Sequence, residues 1–438
     1  MKSNVVEGES QPKLSIRIKK TLLSLLFVVT GFVSYAQVEP KAPVPDGTQG
    51  EVFREKEADS LEVKKKYEHF NEFENSLTTL RFGGGFLYEF ATYSQDDVSK
   101  DQVELSPVFK VRDARVTASG KLKTKREITW KVGVMHDGNQ KTWYMRETGV
   151  MVKFPEISGH IFVGRTKEGY SLSKVKVGYS TWFLERAMAI DIIPILGDGI
   201  KYLGFLPKQR INWNIGAYTD WLSEGQSFSK YQWQFASRVA YLPIYTDATK
   251  PMMHIGVNYR YGKVKNGELQ VRSKPEADPA PYFIDTGKFS VYSSNHVGGE
   301  FYYRNGPFLF GSEVNAHMMN SSETGNPIFY GGEAFMAYTI NAQTRPYFAS
   351  TGIFGFVKVK KSVFDGGYGA FEFTLRYSSL DLDDGTLTGG KFWRVTPNVN
   401  WYLSDNIRLY FTYGYGVLDR YNQEGVTNFF QSRILFML

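Results

Sequence analysis

The chain has no cysteine in its 438 residues. Neither a disulfide framework nor a thiolate metal site is therefore available to it. Histidine is scarce as well: the six, His69, His136, His160, His254, His296 and His317, are scattered and form no HExxH or other close ligand spacing. That pattern points to no metal and no cofactor. Long apolar runs are missing too, with one exception, Thr21 to Ala36 (TLLSLLFVVTGFVSYA), which follows the basic residues Lys13, Arg17, Lys19 and Lys20. A basic start, an apolar centre and small residues at Ser34 and Ala36 predict a signal peptide over residues 1–36, cut between Ala36 and Gln37. A membrane anchor fits less well because the apolar centre is short. No later stretch reaches the roughly 18 apolar residues that a spanning helix needs. An exported chain without spanning helices is either soluble outside the inner membrane or a β-barrel.

What the chain does have is aromatic side chains and glycine: 28 Tyr, 33 Phe and 42 Gly, against 22% charged residues. This suits a large antiparallel β protein, in a membrane or out of it. From Leu77 onward, segments of alternating character are separated by turn-rich stretches. In Phe371 to Ser378, Phe371, Phe373, Leu375 and Tyr377 face one way while Glu372, Thr374 and Arg376 face the other. Val395 to Leu403, Ile407 to Tyr415 and the closing FFQSRILFML repeat the pattern, the last with Phe430, Ile434, Phe436 and Leu438 opposite Gln431 and Arg433. A soluble sandwich also alternates. Here the greasy face is unusually aromatic and the other carries bulky Arg, Asn and Tyr, the pattern of a lipid surface and a lumen. The reading is an all-β transmembrane antiparallel barrel over 77–438, with about sixteen strands. Short turns such as Leu403 to Asn406 alternate with longer stretches such as Asp381 to Phe392 and Lys263 to Lys288.

Residues 37–76 form a polar tail with six basic and ten acidic residues, predicted as a periplasmic segment with a possible short helix, so the basic excess belongs to the barrel. In an exported chain with bases spread along strands, that excess does not suggest nucleic acid as a partner. Two features bear on catalysis or nucleotide binding. Ser294 and His296 share a strand face but have no identifiable third group, and RFGGGF at Arg81 to Phe86 lacks the GK[ST] of a phosphate loop. Glycine in a strand more often marks a bend or close packing. The chemistry that remains is fixed positive charge. Arg238, Arg376, Arg394, Arg408 and Arg433 share the polar parity, and Gly164 to Arg186 brings Arg165, Lys167, Lys174, Lys176 and Arg186 into one stretch able to fold into the pore as a constriction loop.

Several stretches together resemble the phosphate-selective porin O and P family: VRDARVTASG at 111–120, VGRTKEGYSLSK with the following FLERA, RVAYLPIY from Arg238, QTRPY around Arg345, and FEFTLRYSSLDLDDG followed by VTPNVNWYLSDNIRL. The resemblance implies a trimeric, sixteen-stranded porin of the Gram-negative outer membrane, set in lipid and not an enzyme. It also implies an arginine ladder leading small anions such as phosphate or polyphosphate to a lysine-ringed constriction. On that basis Lys174 is a constriction lysine, Arg186, Arg112 and Arg238 are ladder arginines, and Arg165 and Arg376 face the lumen. Two departures weaken strict phosphate selectivity: Asp113 follows Arg112 where the family has paired arginines, and Gly262 stands where an arginine is expected, with Arg260 two places earlier. A weakly selective porin, a barrel lipid hydrolase and a plugged structural barrel are the alternatives.

Overall fold

The computed structural model describes residues 70–222 and 230–438, all within one compact unit, Val44–Leu438. The expected signal peptide and the tail up to residue 69 lie outside the described residues. Sixteen antiparallel strands follow one another around a barrel. They are β1 Thr79–Gln95, β2 Val108–Leu122, β3 Ile128–Asp137, β4 in two halves (Thr142–Met145 and Thr148–Phe154), β5 Gly159–Thr166, β6 Gly197–Leu206, β7 Ile211–Thr219 and β8 Tyr231–Ile244. The circuit continues through β9 Met252–Val264, β10 Ser293–Asn305, β11 Phe308–Asn320, β12 Ile328–Ile340, β13 Ala370–Asp384, β14 Leu387–Tyr402, β15 Ile407–Arg420 and β16 Gln423–Met437. β16 pairs with β1 from Gly85↔Met437 to Gln95↔Thr427, so the sheet closes and leaves no edge. The end of the expected tail contributes a short strand, Glu72–Glu74, which folds back on the start of β1. Where the tail enters the described residues it is thus strand, not helix.

The predicted alternation holds along the late strands. Phe373, Leu375 and Tyr377 are 46%, 43% and 44% exposed, while Glu372 and Arg376 between them are 1% and 2% exposed. Large apolar side chains, mostly aromatic or branched aliphatic, are exposed along strands all around the barrel, as lipid contact requires. In β2 the alternation is reset by a bulge: Leu87 pairs with Asp113 and Tyr88 with Val111, leaving Arg112 as the extra residue. The RFGGGF glycines serve packing, since a Cβ on Gly85 would sit 2.3 Å from the Tyr179 ring.

Two expectations about the loops are corrected. Asp381 to Phe392 is not a long loop: β13 and β14 run on to Asp384 and Leu387 and turn through Gly385 and Thr386, with Gly385 at φ +61°. Conversely, the end of the barrel where β1 starts, periplasmic in the usual orientation of such barrels, carries one long connection, 341–369, between β12 and β13. Its sequence has a period of two only over Val357–Lys360, so the alternation did not announce it. Within it, Tyr347–Phe348 and Ile353–Phe354 pair as a small hairpin.

Candidate functional site: the barrel lumen

Residues 167–196, between β5 and β6, fold into the barrel, and most of them from Lys167 to Leu184 are buried. An irregular segment in such a place needs a partner for each backbone group. The wall supplies them by sign. At the short helical turn α1, Leu172–Val175, the N–H of Leu172 donates to Glu300 (3.0 Å) and that of Ser173 to Glu313 (2.7 Å). Glu313 also accepts from the hydroxyls of Ser171 and Tyr302, both at 2.5 Å. Further along, the loop's carbonyls accept from wall cations and amides. Arg345 donates to Ser180 (2.7 Å), Arg408 to Tyr179 and to Thr181 (3.1 Å), Asn400 to Trp182 (2.8 Å), Arg433 to Leu184 and Arg376 to Glu185 (3.1 Å). Inward arginines therefore hold the loop as well as carrying charge.

The loop also brings an apolar core into the lumen. Trp182 is 1% exposed and packs on Tyr302, Phe335 and Phe354, with ring centroids 4.8–6.2 Å apart, while the Lys176 ammonium lies 3.8 Å from its ring centre. Phe354 comes from the 341–369 connection and Phe335 from β12, so three separate parts of the chain meet on one indole. From the same end of the barrel as the inward loop, the segment after β9 reaches in as well. Arg376 pairs with Glu276, and Arg394 donates to the carbonyl of Pro275 (2.6 Å). This side of the lumen is packed like a protein interior.

The six residues expected from the family motifs do not gather at one open constriction. Lys174 is buried 3.5 Å from Glu168, which also binds Arg260 (2.6 Å). Burial pushes the Lys174 ammonium down to about 7, with Glu168 acting against that shift. Arg186 donates to the Ser173 carbonyl at 2.9 Å. Arg165 is buried 3.3 Å from Asp198, its cross-strand neighbour on β6. Arg238 is held by Glu300 at 2.7 and 2.8 Å and by the Gly352 carbonyl at 2.9 Å. Arg376 pairs with Glu276 and Glu333. Arg112, set inward by the bulge, meets Glu185 (3.1 Å) and Asp278 (3.2 Å). Burial alone would raise the Glu185 carboxyl, but Arg112 and Arg433 hold it below the usual carboxylate range. Where the family arginine is missing, the Gly262 backbone leaves room for the Tyr231 ring, and Arg260 stacks over that ring at 4.3 Å.

The open volume lies elsewhere. A cavity of about 770 Å³ sits between the loop tip at Val177 to Tyr179, strands β1–β6 and the 341–369 connection. Arg81, Arg115, Lys131, Arg146, Lys153 and Lys358 line it; Glu147, Asp247 and Asp405 are its carboxylates. Arg115 stacks on Tyr179 at 4.5 Å and bonds Asp113 at 2.8 Å, while Glu147 lies 3.7 Å from Arg146 and 3.5 Å from Lys167. Sequence reasoning passed over this basic wall because β3 and β4 are short and β4 is interrupted. A usable signal was present: Lys131 alternates with the outward Val132, and Arg115 with the outward Val116.

Ser294 and His296 do form a hydrogen bond, at 2.9 Å, and His296 continues to His317 at 2.7 Å. All three are 0% exposed, so the pair is buried in the barrel interior and not presented to lipid.

A closed sixteen-stranded barrel with an aromatic outer face, a charged lumen and an inward loop defines the class of an outer-membrane porin. Residues 81–437 match the phosphate-selective porin O and P family, and the chain belongs to it. Similar folds occur in OmpT, an outer membrane protein of Vibrio cholerae solved in a trimer form (TM-score 0.52, 14% identity, 83% of this chain and 100% of that one). The outer membrane channel DcaP of Acinetobacter baumannii (0.52, 12%, 84% and 99%) and an anion-selective porin from Comamonas acidovorans (0.50, 10%, 82% and 100%) share it too. An uncharacterized protein of Caulobacter vibrioides is 26% identical over 166 residues, 37% of this chain and 33% of that protein.

Proposed function

We propose that this porin passes small anions, phosphate and polyphosphate among them, by passive diffusion along the basic side of its lumen. The observation that carries this reading is the excess of cations over carboxylates around the cavity beside β1–β6. A wall of that sign raises the local anion concentration and replaces part of the ion's hydration with a succession of charge-assisted hydrogen bonds. Lys174, Arg186, Arg165, Arg112, Arg238 and Arg376 act on the ion mainly through the field they set and the loop they hold. The Comamonas acidovorans fold relative, titled an anion-selective porin, supports the class of solute. The trimer form of the Vibrio cholerae relative supports assembly as a homotrimer.

Reversal potentials of the refolded chain in a planar bilayer under a potassium chloride gradient test the reading. An anion-selective current is expected. The double change Lys131→Gln and Lys153→Gln should lower the anion-to-cation permeability ratio about fivefold, which corresponds to roughly 1 kcal/mol of lost attraction. Cation selectivity in the unaltered protein overturns the proposal. Anion selectivity without block by added phosphate leaves a general anion porin.

A further inference from the structure

We infer that the cavity beside the loop tip is a binding site for organic anions that carry a flat apolar body, aromatic monocarboxylates above all. This rests on the anion reading and deepens it by naming the solute class.

The argument comes from how the lining divides. Five of the six cations on the cavity, Arg81, Arg115, Lys131, Arg146 and Lys153, come from β1 to β4, and the sixth, Lys358, from the 341–369 connection. Aromatic and aliphatic side chains on it come from other parts of the chain: Val177 and Tyr179 from the inward loop, Phe205 from β6, Tyr245 from the turn after β8, and Phe348 and Phe356 from the 341–369 connection. The apolar members fall in two clusters, Phe205, Tyr245 and Tyr347 in one, with Phe205 and Tyr245 at 6.1 Å between ring centres and Tyr245 and Tyr347 at 6.0 Å, and Tyr179 with Phe356 in the other. A site built only for a hydrated inorganic ion gains nothing from such a surface, because every group the ion offers is polar. A small pocket of predominantly apolar lining with a few convergent polar groups is what a compact organic ligand occupies, and about 770 Å³ is ample for a single aromatic ring with its acid group. The carboxylate takes the guanidinium and ammonium donors of the strand wall. The ring replaces water on the aromatic surface. Arg115 already stacks on Tyr179 at 4.5 Å, so both kinds of contact meet at one place.

The experiment uses the full chain refolded into planar bilayers, with sodium benzoate and sodium acetate each added to a chloride-carrying channel. The two share an acid group and differ in the apolar body. Benzoate is expected to reduce the chloride current at a concentration about tenfold below that at which acetate does. Phe348→Ala with Phe356→Ala should bring the two within about twofold while the chloride-over-potassium preference stays unchanged. Because that pair lies in the 341–369 connection, Phe205→Ser, on a strand, provides a second variant with the same expected result, and chloride conductance in each variant shows that the barrel has formed. Equal block by benzoate and acetate in an anion-selective channel overturns this inference and leaves the anion reading intact. A cation-selective channel overturns both.

Discussion

Lys174 is the residue at which charge and fold are most closely tied. It lies on the inward loop, 3.5 Å from Glu168 and 1% exposed, and burial brings it down to about 7 from an ordinary 10.5. Between about pH 7 and about pH 10.5 the unfolded chain binds a proton here that the folded chain does not, so this group's contribution to stability rises with pH across that window. The charge itself is lost from the folded protein as pH rises through about 7. On the proposal that Lys174 acts through the lumen's field, the anion preference read from reversal potentials is expected to fall between about pH 6 and about pH 8. Lys174→Arg, whose guanidinium stays charged, should flatten that dependence. A dependence that survives the arginine belongs to another group. At this scale the sequence was informative about direction and silent about partners. Parity placed Arg238 and Arg376 inward, where they are, but a period of two says nothing about Glu300 or Glu276, which come from strands and loops far away in the chain.

Among the elements, the inward loop was legible and its anchorage was not. The concentration of Arg165, Lys167, Lys174, Lys176 and Arg186 in one stretch marked a segment able to enter the pore. That its carbonyls are held by Arg345, Arg408, Arg433 and Asn400 follows only once the 341–369 connection and β14 to β16 are placed around it. Trp182 was read as part of a basic loop, yet it is the indole on which the loop, β12 and the 341–369 connection converge. Trp182→Ala empties the centre of this packing and is expected to lower stability by about 3–5 kcal/mol. Thermal unfolding in detergent measures that loss. Because Asn400 and Arg345 still hold the backbone, the barrel should still form and conduct, with a noisier current as the loop fluctuates. An unchanged melting temperature would mean that the hydrogen bonds alone fix the loop. The long connection after β12 escaped sequence reasoning for a physical reason: its glycines, Pro346 and Asp365 read as turns, its alternation is confined to Val357–Lys360, and its order comes from the pairing Tyr347–Phe348 with Ile353–Phe354, the bridge Ala342↔Val359 and the contacts it finds inside the barrel.

For the whole molecule, the lumen is divided between two tasks. On the side of β8 to β16 it is filled, by the loop, by Glu276 and its neighbours, and by the hairpin at Tyr347 to Phe354, with the wall arginines Arg238 and Arg376 paired to Glu300 and Glu276 and Arg345 of the connection paired to Glu372. Beside β1 to β6 it stays open and basic. The division implies that conductance and selectivity are set by different parts of the chain. Deleting residues 347–354 while keeping Arg345 in its pair with Glu372 takes away Phe354 from the indole and Phe348 from the cavity, widening the periplasmic half of the path. Unitary conductance is expected to rise about two- to threefold, the order by which a wider aqueous constriction carries more current. The anion-to-cation ratio should change far less, because Arg115, Lys131, Arg146 and Lys153 sit on strands that the deletion does not touch. Single-channel recording measures both quantities in one experiment. If the ratio collapses along with the rise in conductance, selectivity belongs to the filled side and its buried arginines, and the basic wall is only the lining of a vestibule. If conductance rises and the ratio holds, the packed side is scaffold, and the strands that the short, interrupted β4 made hardest to read from sequence are the ones that choose the ion.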